Sequence, residues 1–156
     1  MITLAMLGSG FIGRFYADSI HGNRSGDRIV SIQSRREESA KKFADDYGVP
    51  HHTTNMEESI AHPDVQMVCI ALPNNLHEEA VLLCCKHKKA VMVTKPLGRN
   101  AEEAARMLKA VEEAGIFNGY LEDLVYTPKF IKAEQSVREG SLGRILWAKS
   151  RETHPG

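Results

Sequence analysis

The sequence predicts an α/β protein: a doubly wound parallel sheet followed by the start of a second α/β domain. Three observations carry that expectation. Along residues 1–122, short apolar runs alternate with longer segments of helical spacing, the pattern of parallel strands joined by crossover helices. The first of these runs leads straight into Gly8-Ser9-Gly10-Phe11-Ile12-Gly13. After Tyr120 the rhythm changes, and a closing apolar run from about Arg144 has no partner strand after it, so residues 123–156 read as the truncated beginning of a substrate or oligomerisation domain.

Taken in order, strands are expected at about Thr3 to Leu7, Arg28 to Gln33, Val49 to His52, Val65 to Leu72, Ala90 to Thr94 and Ile116 to Tyr120. Helices are expected between them at about Phe11 to His21, Arg36 to Tyr47, Met56 to Ala61, Leu76 to Lys88 and Ala101 to Ala114. The last is the most clearly marked. Ala101, Ala104, Ala105, Leu108, Val111 and Ala114 share one predicted face, with Glu102, Glu103, Lys109 and Glu112 largely outside it. Asn100 with Glu103 three residues on approximates a capping box, and Gly115 stands where a C-cap is needed. Met67 to Ala71 is continuously apolar, as suits a central strand covered on both faces. Beyond Tyr126-Thr127-Pro128 the spacing gives a helix over Lys129 to Glu139, a glycine turn, and the closing strand from Arg144.

Composition narrows the function classes. With 42% hydrophobic and 26% charged residues the chain can build a core, which excludes a disordered reading. Its 20 Lys and Arg balance 20 Asp and Glu, so no overall charge draws it to nucleic acid or to an anionic membrane. The longest apolar runs fall far short of the ~18 residues of a membrane span. The start lacks the basic and cleavable parts of a signal peptide, and the expected compartment is cytoplasmic. Three cysteines make no disulfide framework and read as small buried hydrophobes.

The chemistry gathers at strand ends. In the glycine turn, Gly8 permits a tight bend, Gly10 lets a pyrophosphate approach the backbone, and Gly13 lets helix and strand pack closely. Free amides near Phe11 and Ile12, with Ser9 beside them, would face the anion. This is the Rossmann arrangement for a pyridine dinucleotide. At the end of the second strand, where an acidic residue would hold the ribose of NAD, stand Gln33-Ser34-Arg35-Arg36. A hydroxyl and two guanidinium groups suit the 2'-phosphate of NADP, which is favoured with NAD as the alternative. The competing reading is that Arg35 and Arg36 are solvated helix-start residues paired with Glu37 and Glu38. The fourth strand ends in Ala71-Leu72-Pro73-Asn74-Asn75-Leu76-His77, in which Asn74 can cap the next helix and His77 serves either packing or a ligand. The fifth ends in Thr94-Lys95-Pro96, where Lys95 is either a solvated charge or the group that hydrogen-bonds a substrate oxygen during hydride transfer.

On these residues the chain resembles the family of glucose-fructose oxidoreductase, inositol 2-dehydrogenase and the rhizopine catabolism oxidoreductases (Gfo/Idh/MocA). The carriers are Gly8 to Gly13, Ser34-Arg35 with Ala40 and Phe43-Ala44, Pro73-Asn74 with His77, Lys95-Pro96, Pro128, and the turn from Glu139-Gly140 to Leu142-Gly143. The resemblance implies a Rossmann domain followed by an α/β domain with an open sheet, and reversible hydride transfer between nicotinamide and a hydroxyl carbon of a sugar or cyclitol. It implies that Lys95 is catalytic, that Leu72, Pro73, Asn74 and His77 flank the ribose and nicotinamide, and that Lys95-Pro96 shapes the pocket floor. Where the family has Glu-Lys-Pro, this chain has Thr94-Lys95-Pro96. The family's second-domain acid/base, typically a histidine, lies beyond residue 156, and His154 is not taken as its replacement. A non-catalytic dinucleotide-binding module or sensor is the alternative, and an α/β scaffold without cofactor the plainest one. The unpaired apolar edge of Ile145 to Ser150 predicts a homo-oligomer.

Overall fold

A computed structural model describes residues 1–23, 26–151 and 153. Two compact units divide the chain, Met1–Leu121 and Glu122–Gly156. The first is built on six strands: β1 (Thr3–Leu7), β2 (Arg28–Gln33), β3 (His51–Thr53), β4 (Met67–Ile70), β5 (Ala90–Thr94) and β6 (Asn118–Leu121). All pair in parallel, in the order β3-β2-β1-β4-β5-β6. Between them run α1 (Phe11–Ile20), α2 (Glu37–Tyr47), α3 (Met56–Ala61), α4 (His77–Lys86) and α5 (Ala101–Ala114). No described helix is long and apolar enough to cross a membrane.

The period-two alternation of side chains explains why the sheet is covered on both faces. From β1 and β4, Ala5, Leu7, Val68 and Ile70 join Ile60, Ala80, Val81, Met107 and Val111 in one core cluster, beneath α3, α4 and α5. Their neighbours Met6 and Cys69 join Ala17, Phe43 and Ala44 in a second cluster, beneath α1 and α2. The sheet is doubly wound, as the pattern predicts. Burial pushes the thiols of Cys69 and Cys84 up to about 12, so neither is a nucleophile near neutral pH and both act as small hydrophobes.

Several boundaries move for local reasons. Val49, expected to open β3, instead belongs to the end of α2: Gly48 is left-handed at φ 65°, and the Val49 amide donates to the Ala44 carbonyl at 2.9 Å. The same device draws Ile116 out of β6, where Gly115 is left-handed and Ile116 N–H reaches Val111 O. The helix expected from Leu76 starts as a 3-10 turn over Asn74–Leu76, and α4 proper begins at His77. Asn74 makes no side-chain cap, contrary to expectation, because Pro73 occupies the cap position of that turn.

The predicted face of α5 is rotated. Its buried residues are Glu103, Met107 and Val111, while Ala101, Ala105 and Leu108 are exposed. Glu103 is inside because it takes three hydrogen bonds from Arg99, from the backbone N–H, Nε and Nη2, at 2.5–2.9 Å. Asn100 caps the helix as expected, its Oδ1 accepting from Glu103 N–H at 2.9 Å. The capping-box carboxylate thus reaches back to Arg99 rather than to Asn100.

The second unit contains a 3-10 turn at Leu124–Tyr126 and α6 (Pro128–Arg138), with Thr127 as N-cap and Pro128 in the first helical position. The strand expected from Arg144 through Ser150 does not form among the described residues. A strand is defined by its ladder, and this segment has none; Leu146 and Trp147 remain 81% and 77% exposed. His154 lies outside the described residues.

Candidate functional site

The strand order places the carboxyl ends of β2, β1, β4 and β5 side by side, with the glycine turn near the middle. Here the chain leaves β1 through Gly8, whose amide still donates to Gln33 O on β2 at 2.9 Å. Gly8 adopts φ 105°, and a Cβ on it would overlap the Ala71 carbonyl at the end of β4. Gly13, one turn into α1, packs so close that a Cβ there would overlap the Gly8 carbonyl. These two glycines are dictated by the fold itself. Gly10 is not: its φ is an ordinary −75°, and a Cβ would meet nothing within 4 Å. The space beside it is the open cleft.

That cleft has a volume of about 870 Å³ and is lined by Gly8 to Ile12, Gln33 to Arg36, Ser39, Thr54, Ala71 to Pro73, Asn75 and Leu76. The start of α1 at its edge has no side-chain cap and no acidic residue in its first turn. Both α3 and α5, by contrast, carry an asparagine cap and two glutamates there. The uncapped amides of α1, with the helix dipole behind them, make that end suited to an anion.

At the β2 end the Ser9 and Ser34 hydroxyls lie 2.8 Å apart, joining the glycine turn to the strand. Arg35 and Arg36 are exposed and make no ion pair among the described residues. Glu37 turns instead to His52, Oε1 to Nε2 at 3.0 Å. The pairing that competed for the two guanidinium groups is therefore not made. Among the described residues no carboxylate lines the cleft. Gln33 is 6% exposed; its Nε2 donates to Thr54 O at 3.1 Å, and its Oε1 is buried without a hydrogen-bond partner. Ser39 and Thr54 were not singled out from sequence. Ser39 lies four residues after Arg35 on α2, and Thr54 follows the strand that pairs with β2, a neighbour that only the sheet order reveals.

At the β4 end, Leu72 and Pro73 line the cleft, while Asn74 is exposed beside it and is not among the lining residues. His77, expected to flank the ribose and nicotinamide, is fully buried behind that wall. Its Nε2 lies 2.9 Å from Leu72 O, and its Nδ1 lies 3.0 Å from Pro96 O and 3.3 Å from Leu97 O. Lys95 and Pro96, joined to each other by a cis peptide bond, follow β5 and are exposed. Thr94, preceding Lys95, is buried, and among the described residues no carboxylate pairs with the Lys95 ammonium. No group of three or more potential metal ligands occurs among the described residues.

The residues present fit a dinucleotide: an open space at Gly10, uncapped helix amides, a serine pair and free guanidinium groups lie along one cleft. A parallel sheet in this order, with a glycine turn at its centre, defines the Rossmann class of nucleotide-binding domain. Within that class, residues 2–119 match the family model described as "Oxidoreductase family, NAD-binding Rossmann fold", and the chain belongs to this Gfo/Idh/MocA family. It is similar to a 1,5-anhydro-D-fructose reductase from Ensifer adhaerens, at 30% identity over 80% of this chain and 38% of that protein. A myo-inositol 2-dehydrogenase from Thermotoga maritima is 28% identical over 97% of this chain and 46% of that protein. Among solved structures, scyllo-inositol dehydrogenase from Lactobacillus casei with bound NAD(H) and scyllo-inositol shares the fold, with TM-score 0.85 at 18% identity over 92% of this chain and 42% of that one. The chain spans less than half the length of these relatives.

Proposed function

We propose that this chain is the cofactor-binding portion of an NADP-dependent oxidoreductase acting on a hydroxyl carbon of a sugar or cyclitol. The observation that carries the cofactor choice is the β2 end of the cleft. Ser34 stands where a carboxylate would exclude a 2'-phosphate, and Arg35 and Arg36 are uncommitted beside it. Charge-assisted bonds from guanidinium to phosphate are each worth roughly 1.5–3 kcal/mol, enough to decide between NADP and NAD.

In this reading Gly8 to Gly13 hold the pyrophosphate, with Ser9 and the amides of Phe11 and Ile12 as donors. Leu72, Pro73 and Asn74 flank the nicotinamide half, and Lys95-Pro96 closes the floor. When bound, the dinucleotide supplies a nicotinamide that accepts hydride from the substrate carbon or returns it. Lys95 is the catalytic residue: its Nζ donates to the substrate oxygen and stabilises the negative charge there as the hydroxyl proton passes to an acid/base group of the substrate domain. The relatives' names place sugar derivatives and inositols among the compounds such proteins act on, and this supports a small polyhydroxylated substrate here. The unpartnered apolar side chains at Leu146 and Trp147 support a homo-oligomer.

A non-catalytic dinucleotide-binding module is the second reading, favoured by Thr94 and by the lack, among the described residues, of a carboxylate paired with Lys95. Following nicotinamide absorbance with a panel of sugars and cyclitols, in a protein extended to the length of its relatives, separates the two. Turnover that Lys95→Ala lowers by about 100-fold or more supports the enzyme. Tight cofactor binding with no turnover on any member leaves the module.

A further inference from the structure

The His77 ring joins the two walls that leave β4 and β5. One nitrogen faces the Leu72 carbonyl, five residues before it, and the other faces the Pro96 and Leu97 carbonyls, 19 and 20 residues after it. The ring is wholly buried, and since a neutral imidazole carries a single N–H, it donates to one wall and packs against the carbonyl of the other. From the other side, Glu103 on α5 holds Arg99 through backbone and guanidinium together. The segment carrying Lys95 is thereby tied at Pro96-Leu97 to α4 and at Arg99 to α5. Lys95 itself has no ion pair among the described residues to steer it.

We infer that His77 is a positioning residue, locking the Leu72-Pro73 wall and the Lys95-Pro96 turn into one rigid edge that shapes the nicotinamide half of the cleft. This rests on the dinucleotide reading above and goes beyond it in assigning His77 an action through the backbone rather than on the cofactor. The β2 end of the cleft is held separately, by the Ser9–Ser34 contact and by Gly8 N–H on Gln33 O. Loss of the ring should therefore be felt at one end of a dinucleotide and not at the other.

The test compares two ligands on the full chain. NADP+ spans both ends of the cleft; adenosine 2',5'-bisphosphate occupies only the adenosine end. His77→Ala is expected to weaken NADP+ by about tenfold or more and to change adenosine bisphosphate by less than about twofold, as one end only loses the ring that ties its two walls together. Val81→Ala, a core truncation one turn along α4, should lower the melting temperature without separating the two ligands. Equal losses for both ligands, no loss for either, or the same separation in Val81→Ala would overturn the inference. If His77→Ala does not fold, His77→Asn is read by the same two titrations. Failure of every His77 variant to fold makes the residue a folding requirement and overturns it as well. Failure of the unsubstituted chain to bind NADP+ is a different result, and sinks the dinucleotide reading itself.

Discussion

Glycines that look alike in the sequence have different reasons to be there, and the difference can be measured. Gly13→Ala sets a Cβ against the Gly8 carbonyl, so backbone must shift, and a fall in melting temperature of several degrees is expected, about 1–3 kcal/mol. Gly10→Ala meets nothing within the protein, so the chain should melt within a few degrees of the original while dinucleotide affinity falls by about tenfold or more. Equal effects of both substitutions on stability would contradict the assignment of the Gly10 space to a ligand. At the other end of the cleft, Arg35→Ala should weaken NADP+ by about ten- to a hundredfold and leave NAD+ within about twofold. Much of this was legible from residue types alone: a glycine turn, a serine in place of an acid, two arginines. For His77 the sequence left packing and ligand roles open, since spacing places it in a helix's first turn but cannot say whether the ring faces the cleft or the carbonyls behind it. The contact of Gln33 Nε2 with Thr54 O was not legible either, because it spans 21 residues and only the pairing of β2 with β3 brings the two together.

Helix α5 shows where pattern reading loses phase. Six small or apolar residues suggested one face, yet the alanines among them gain little from burial, whereas Met107 and Val111 gain more and set the rotation. That turn carries Glu103 inward, which is tolerable only because Arg99 meets its carboxylate. The Arg99 guanidinium and backbone N–H hold the Glu103 carboxyl below its usual range. A carboxyl depressed in the folded state contributes stability that is present above its unfolded pKa and lost as pH falls through the folded one. Glu103→Gln should accordingly lower the melting temperature near neutral pH, with the gap to the original chain closing as the solution is taken below about pH 4. A gap that stays constant over that range would mean the pair contributes packing alone. The Asn100 cap is simpler: Asn100→Ala should cost about 1 kcal/mol in denaturant unfolding. The closing strand failed for a reason sequence cannot supply. A short apolar run describes a segment fit to pair, and pairing needs a neighbour.

For the whole molecule, the parallel sheet and its two layers of helices followed from one rule, alternation of short apolar runs with helical spacing. The strand order did not follow from it. Right-handed crossovers leave several orders open, and the observed order β3-β2-β1-β4-β5-β6 brings the ends of β2, β1, β4 and β5 into one line. Every residue that lines the cleft lies within Met1–Leu121, so a chain ending at Leu121 should bind dinucleotide within about threefold of the full chain. Hydride transfer is a separate matter, since substrate must also be held, and the relatives are more than twice as long. The central claim is that this cleft takes a pyridine dinucleotide through its 2'-phosphate. Fluorescence titration of the full chain with NADPH and with NADH tests it most directly. The expected result is saturable binding of both with NADPH tighter by about tenfold or more; NADH binding as tightly or more tightly, or saturation by neither, would contradict it.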